Sequence, residues 1–241
     1  MRSHLRGSGI EIGALHRPLP LGPHASVSYV DRLPVEQLRA HYPELAAEAL
    51  APVSVLATAE DLSPVASGSQ DFVIANHLLE HCENALKALM EFQRVLKPGG
   101  VLYLVLPDKS VTFDRERAVT TTEHLIDEYR TGSEKNRFAH YLEWARLVDH
   151  KDEAHARGMM AMGYSIHFHV WTRAAFVQFL TAARAAANFT LTVIDEDVGD
   201  DEFIFILKKA PTLWDRAVKR LPVSNRVPAL MRELWTRLPL G

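Results

Sequence analysis

Three groups of side chains in this sequence are of types that move protons or hold ions. His77, Glu80 and His81 fall at i, i+3 and i+4, so one helical turn would set them on a single face. His167-Phe168-His169 is a His-x-His pair whose imidazoles would project to one side of an extended backbone. Asp108 follows the apolar run V-L-Y-L-V-L-P and would stand at a strand end. Such groups can take a proton from a hydroxyl. Some of Glu80, Asp108, His167 and His169 could instead hold a divalent metal such as Mg. Plainer roles fit the same residues: Glu80 and His81 pairing on their helix, or His167 and His169 pinning a neighbouring segment by hydrogen bonds. Asp114, Arg115 and Arg117, with Glu123-His124, could line a substrate mouth or simply form a solvated face.

The elements that would carry these groups can be read from hydropathy. Phe72 to Ala75 and Val101 to Leu106 are near-continuous apolar runs, the pattern of parallel strands covered on both faces. Between them an amphipathic helix spans about Ala85 to Leu96 and closes at Lys97-Pro98-Gly99-Gly100, where the glycine pair supplies positive φ. Upstream lie strands at Ile10–Ile12, Val27–Val30 and Val53–Ala57, a Pro- and Gly-rich loop from Ala14 to Ser26, and a helix from Val35 to His41. Residues 108 to 170 read as an inserted helical cap, with helices at Thr122–Tyr129 and Phe138–Val148 and a mobile loop or lid at Gly158–Gly163. Thr172 is a good N-cap for a helix to about Ala187. Phe189–Ile194 and Phe203–Leu207 follow as strands joined by an acidic turn, Asp195–Asp201, and with so short a link they must pair antiparallel.

Ala59-Glu60-Asp61-Leu62, Gly68-Ser69-Gln70-Asp71-Phe72 and Arg94-Val95-Leu96-Lys97-Pro98-Gly99-Gly100 occur in that order and at spacings the elements require. In this the chain resembles the class I S-adenosylmethionine-dependent methyltransferases of methyltransferase type 11. The resemblance implies an α/β, Rossmann-like sheet of seven strands in order 3-2-1-4-5-7-6, strand 7 antiparallel, with a helical insertion after strand 5. It also implies a cofactor, S-adenosyl-L-methionine, and residues to hold it. Gly9-Ile10-Glu11-Ile12-Gly13-Ala14-Leu15 would be the first motif, with Glu11 accepting hydrogen bonds and Gly13 and Ala14 admitting the methionyl end. Asp31 would meet the ribose hydroxyls, Asp61 the adenine amino group, Leu62 the adenine face, and Asn76 the middle of the cofactor. Leu15 stands where the family has its second glycine.

G-I-E-I-G-A-L-H-R-P-L, Y-V-D-R, F-V-I-A-N-H-L-L-E-H-C-E and P-D-K-S-V-T-F-D-R are similar to a bacterial methyltransferase subgroup linked to polysaccharide assembly. That likeness implies O-methylation of a sugar or glycolipid hydroxyl; His77, His81, Asp108, His167 or His169 would then supply base or metal ligation. The alternative is a degenerate methyltransferase fold kept as a binding or scaffold module, which Leu15 favours. A nicotinamide-dependent oxidoreductase fits less well, for the sequence lacks a G-x-G-x-x-G fingerprint.

The 241 residues suffice for one α/β domain at 1–210 with a short tail at 211–241. A net charge of −3 gives no reason to expect nucleic acid as a partner. The single cysteine, Cys82, excludes an internal disulfide and fits a reducing compartment, so cytoplasm is the expectation. From Lys208 onward eight Lys or Arg face only Asp215 and Glu233. Leu213, Trp214, Ala217, Val218 and Leu221, then Leu230, Met231, Leu234, Trp235 and Leu238, make apolar stripes beside that charge. Such a basic amphipathic tail could lie on the inner face of a membrane, or pack on the domain or on a second copy as a homodimer.

Overall fold

The computed structural model describes residues 1–211; the tail expected at 211–241 therefore lies, apart from Pro211, outside the described residues. Seven strands form one sheet: β1 (Gly7–Ile12), β2 (Ala25–Asp31), β3 (Val53–Leu56), β4 (Gln70–Asn76), β5 (Leu96–Pro107), β6 (Leu191–Val198) and β7 (Glu202–Lys209). Their order is β3-β2-β1-β4-β5-β7-β6, with β7 antiparallel to both neighbours and all other pairs parallel. This is the Rossmann-like methyltransferase sheet in the expected order.

Strand β4 reads as unbroken apolar sequence because both of its faces are covered. Val73 and Ala75 join Leu102, Leu104 and Leu106 against α2 (Ala85–Val95) and α6 (Arg173–Ala187). Phe72 and Ile74 join Val101, Tyr103 and Val105 on the opposite face. Part of that second layer is irregular chain: Leu5, Leu19 and Leu21 lie over it, the last two from the Pro- and Gly-rich loop. Close strand packing also explains Gly9. A Cβ there would stand 2.4 Å from the backbone oxygen of Phe72, which no rotamer change can relieve.

Between β5 and α6 the chain forms α3 (Thr122–Thr131), α4 (Arg137–Leu147) and α5 (Glu153–Met162). Side-chain oxygens of Asn84, Thr121, Asp152 and Thr172 accept from the first-turn amides of α2, α3, α5 and α6, and Thr172 is the cap the sequence announces.

Several expectations are corrected. The segment Gly158–Gly163 is not a lid: Gly158 to Met162 is helix, Met159 is buried, and Gly163 is its left-handed C-cap. The acidic turn is shorter than expected, because Asp195 to Val198 continue β6 and pair with β7 beyond a register shift between Val193 and Asp195. Only Gly99 of the glycine pair has positive φ, and β5 begins at Leu96, pairing with Gln70 before its register shifts. No helix among the described residues is long and apolar enough to cross a membrane.

Candidate active site

Strand order reverses between β1 and β4, and in open α/β sheets the crevice beyond the carboxyl ends at such a point is where ligands bind. Three residues with positive φ gather there: Gly13 (φ 69) and Leu15 (φ 48) after β1, and His77 (φ 45) after β4. For Leu15 and His77 the left-handed region costs roughly 1–2 kcal/mol each, so the surrounding structure imposes it. Leu15 thus follows the backbone path a glycine would take. At Gly13 a Cβ would lie 3.1 Å from Leu78 Cδ1. Asn76, closing β4, has a buried Oδ1 with no hydrogen-bond partner among the described residues. An orphaned buried acceptor beside a bare glycine turn fits a polar ligand entering the crevice.

The three strand-end acids do not form one set. Glu11 is 1% exposed and both its oxygens accept from the Leu19 amide, at 3.0 and 3.1 Å, so it anchors the loop after β1. Burial pushes its pKa up to about 7, against that amide bond. Asp31 is buried at the end of β2 and accepts from the Arg32 amide at 2.7 Å; burial raises its pKa too. Asp61 is exposed and accepts from the Ser63 amide at 3.0 Å. Leu62 has no exposed surface, so the expected adenine face is core instead.

The histidine groups are also rearranged. His77 and His81 share no helical face, because only Leu79–His81 is a 3-10 turn and His77 precedes it in the left-handed region. His77 stands between Glu202 (2.8 Å) and Glu80 (3.5 Å). The Glu80 carboxylate, with Glu202, raises its pKa to about 9, so it is a cation at neutral pH and not a base. His81 behaves oppositely. Burial lowers its pKa, and its Nδ1 lies 2.9 Å from the Ile166 carbonyl. A carbonyl only accepts, so Nδ1 carries the proton and Nε2 keeps a lone pair.

His167 and His169 part ways. His167 Nδ1 meets Asp114 Oδ2 at 2.6 Å, and its ring packs on His81 with centroids 4.7 Å apart. His169 turns toward Glu128, His124 and His140. Asp108 belongs to neither group: its Oδ1 accepts from the Ser110 amide and hydroxyl, closing a turn. Among the described residues, Asp108, His167 and His169 therefore do not come together as one ligand set. Asp114 and Arg117 are buried, with Nη1 donating to Oδ1 at 2.9 Å, so they are no solvated face. Arg117 Nη2 also donates to Glu143 at 2.9 Å. Phe113, 57% exposed, lies against the rings of His167 and Trp144.

Two groups raised on folding make stability depend on pH in one direction. Glu11 favours the fold fully below its ordinary 4.5, and that contribution is lost as pH rises through about 7. His77 contributes fully below 6.5 and loses its contribution as pH rises through about 9. Thermal denaturation should therefore show Tm falling from about pH 7 to 9; between pH 5 and 6.5 burial of His169, which holds its pKa down to about 3, pulls the other way and offsets Glu11. Glu11→Gln is expected to leave a Tm that climbs more steeply between pH 5 and 6.5, and His77→Asn to flatten the fall above pH 7. A Tm that climbs between pH 7 and 9 would contradict the His77 assignment, and an unchanged lower limb in Glu11→Gln would contradict that of Glu11.

The region matched by a family model is the part that builds the crevice. Residues 7–104 match the methyltransferase domain family. The match covers about two fifths of the chain, from β1 into β5. The chain is also 43% identical over 49 residues to human (Homo sapiens) thiol S-methyltransferase TMT1B, a span of 20% of each protein. Among solved structures, a SAM-dependent methyltransferase from Methanosarcina mazei superposes with TM-score 0.47 at 17% identity, covering 87% of this chain and 96% of that one. A SAM-dependent methyltransferase from Aquifex aeolicus gives 0.47 at 15%, covering 85% and 84%. The strand order is the Rossmann-like one that the resemblance to methyltransferases implies.

Proposed function

We propose that the chain is an S-adenosylmethionine-dependent O-methyltransferase whose acceptor is a hydroxyl of a sugar or glycolipid. S-adenosylmethionine, when bound, supplies an electrophilic methyl group. Gly13 and Ala14 would line its methionyl end, the unpaired Asn76 Oδ1 would accept from it, and Asp31 would close the crevice after β2. Asp61 and Leu62 are less well placed for this, one being exposed and the other buried.

The observation that carries the proposal is His81: a neutral imidazole with Nδ1 fixed by Ile166 and Nε2 without a hydrogen-bond partner among the described residues, at the end of the 3-10 turn that follows β4. His81 Nε2 accepts the acceptor's hydroxyl proton, and the fully buried Glu80 carboxylate stabilises the imidazolium formed. Protonated His77 holds Glu80 ionised, though burial opposes that. Phe113 offers a flat apolar surface beside these polar groups, suited to the C–H face of a sugar ring.

Titration calorimetry of the full chain with S-adenosylmethionine is expected to show binding in the micromolar range. Gly13→Val should abolish it, since valine at φ 69 is strained and its Cβ crowds Leu78. Retained Tm in that variant would show that the fold survives. No heat with the unaltered protein would overturn the cofactor assignment. Transfer of label from methyl-labelled cofactor to glycan extracts tests the acceptor class.

A further inference from the structure

His124 and Glu128 lie one turn apart on α3, His140 projects from α4, and His169 lies in the segment leading to α6. We propose that these four residues bind a transition-metal dication of the zinc class, clamping α3, α4 and the 165–171 segment together.

The distances fit such an ion. Four ligands about 2.0–2.1 Å from a tetrahedral centre stand about 3.3–3.4 Å from one another. His124 Nε2 and His140 Nε2 are 3.3 Å apart, and each is 3.1 Å from Glu128 Oε1. His169 Nε2 is 3.3 Å from Glu128 Oε2. One ligand atom from each residue can be chosen so that all lie within 4.8 Å of one another.

Two atoms of the group lack partners, while His169 Nε2 also lies 3.2 Å from the Glu83 carbonyl, a hydrogen bond that metal ligation would replace. Glu128 is fully buried, and its Oε2 makes no hydrogen bond among the described residues; neither does Nδ1 of the fully buried His169. Two imidazole nitrogens facing each other at 3.3 Å either share one proton as a hydrogen bond or direct two lone pairs at a common cation. Three nitrogens and one carboxylate oxygen suit zinc, cobalt or nickel over magnesium or calcium. Asn136 Nδ2 donates to Glu128 Oε1 at 3.0 Å, an outer-shell bond that orients the carboxylate. His124, one-third exposed, leaves a way in from solvent.

Four protein ligands leave no open position, so the role is structural and the site is separate from methyl transfer. The clamp nonetheless bears on the candidate active site, for the same segment carries Ile166 and His167.

The test uses the full chain, purified without a metal-affinity column, stripped with chelator and titrated with Co(II) and Zn(II). One equivalent of cobalt should give the intense visible bands of four-coordinate Co(II), and zinc should quench them by displacement. At a hundredfold excess of zinc over its Kd, Tm should rise by about 5–11 °C. His124→Asn, at the most exposed ligand, should weaken binding at least about 10–100-fold while the variant stays folded. His167→Asn, in the neighbouring Glu80–His81–His167 group, should keep the cobalt bands. A protein that takes up no stoichiometric metal, or shows only six-coordinate cobalt, would overturn the proposal. So would binding unchanged by both His124→Asn and His140→Asn.

Discussion

Arg117→Met should cost about 3–5 kcal/mol of folding stability, the usual loss when one partner of a buried ion pair is removed. The mechanism is the stranding of Asp114, not the loss of arginine's own packing. Both side chains are 1% exposed, and methionine replaces much of the guanidinium's volume against Trp144. What it cannot replace are the bonds to Asp114 and Glu143. Asp114 would then keep a buried charge answered by His167 alone. For a chain of this size the loss corresponds to a Tm drop of about 6–20 °C. The double variant Arg117→Met/Asp114→Asn should recover a large part of it, since the uncompensated charge goes too. If the single variant melts within about 1 kcal/mol of the parent, the pair does not hold the segment from Phe113 to Arg117 in place.

That network shows where sequence reading reaches its limit. The sheet was legible because burial on two faces leaves a local mark: Phe72 to Ala75 is apolar without interruption, and only a doubly covered strand requires that. The turn at Gly13 was legible for a similar reason, since few residues tolerate its φ. His167 and His169 misled because period-two alternation applies to regular strands, and this segment is irregular. His77 and His81 misled because a left-handed residue at the strand end turns the chain before helical geometry begins. Glu128 and His140 were overlooked, although His124 and Glu128 have the i, i+4 spacing that marks a shared helical face. His140 carried no such signal, since it lies on another helix and only the fold brings its ring to Glu128. Arg117 and Asp114 looked like solvated charge because burial of an ion pair is a tertiary fact that local sequence does not encode.

His81→Asn is expected to lower methyl transfer by about 10²–10⁴-fold, the range a positioned general base contributes. Asparagine is chosen because its amide N–H can reach the Ile166 carbonyl as Nδ1 does now, so the 3-10 turn should stay in place. Only the lone pair on Nε2 disappears. Cofactor affinity and Tm should therefore stay close to those of the parent, and the loss should fall on kcat more than on the KM for cofactor. The residual rate should climb with pH, as solvent hydroxide takes over a proton the side chain no longer accepts. Histidine at position 77 provides the contrast: it is already protonated at neutral pH, so His77→Asn removes a counter-ion for Glu80 and not a base. Its effect on rate should be the smaller, and it should shift the pH profile through Glu80 instead of leaving a hydroxide-dependent remnant. If the two variants lose rate equally, with the same pH dependence, proton acceptance cannot be assigned to His81, and the pair acts only in shaping the site.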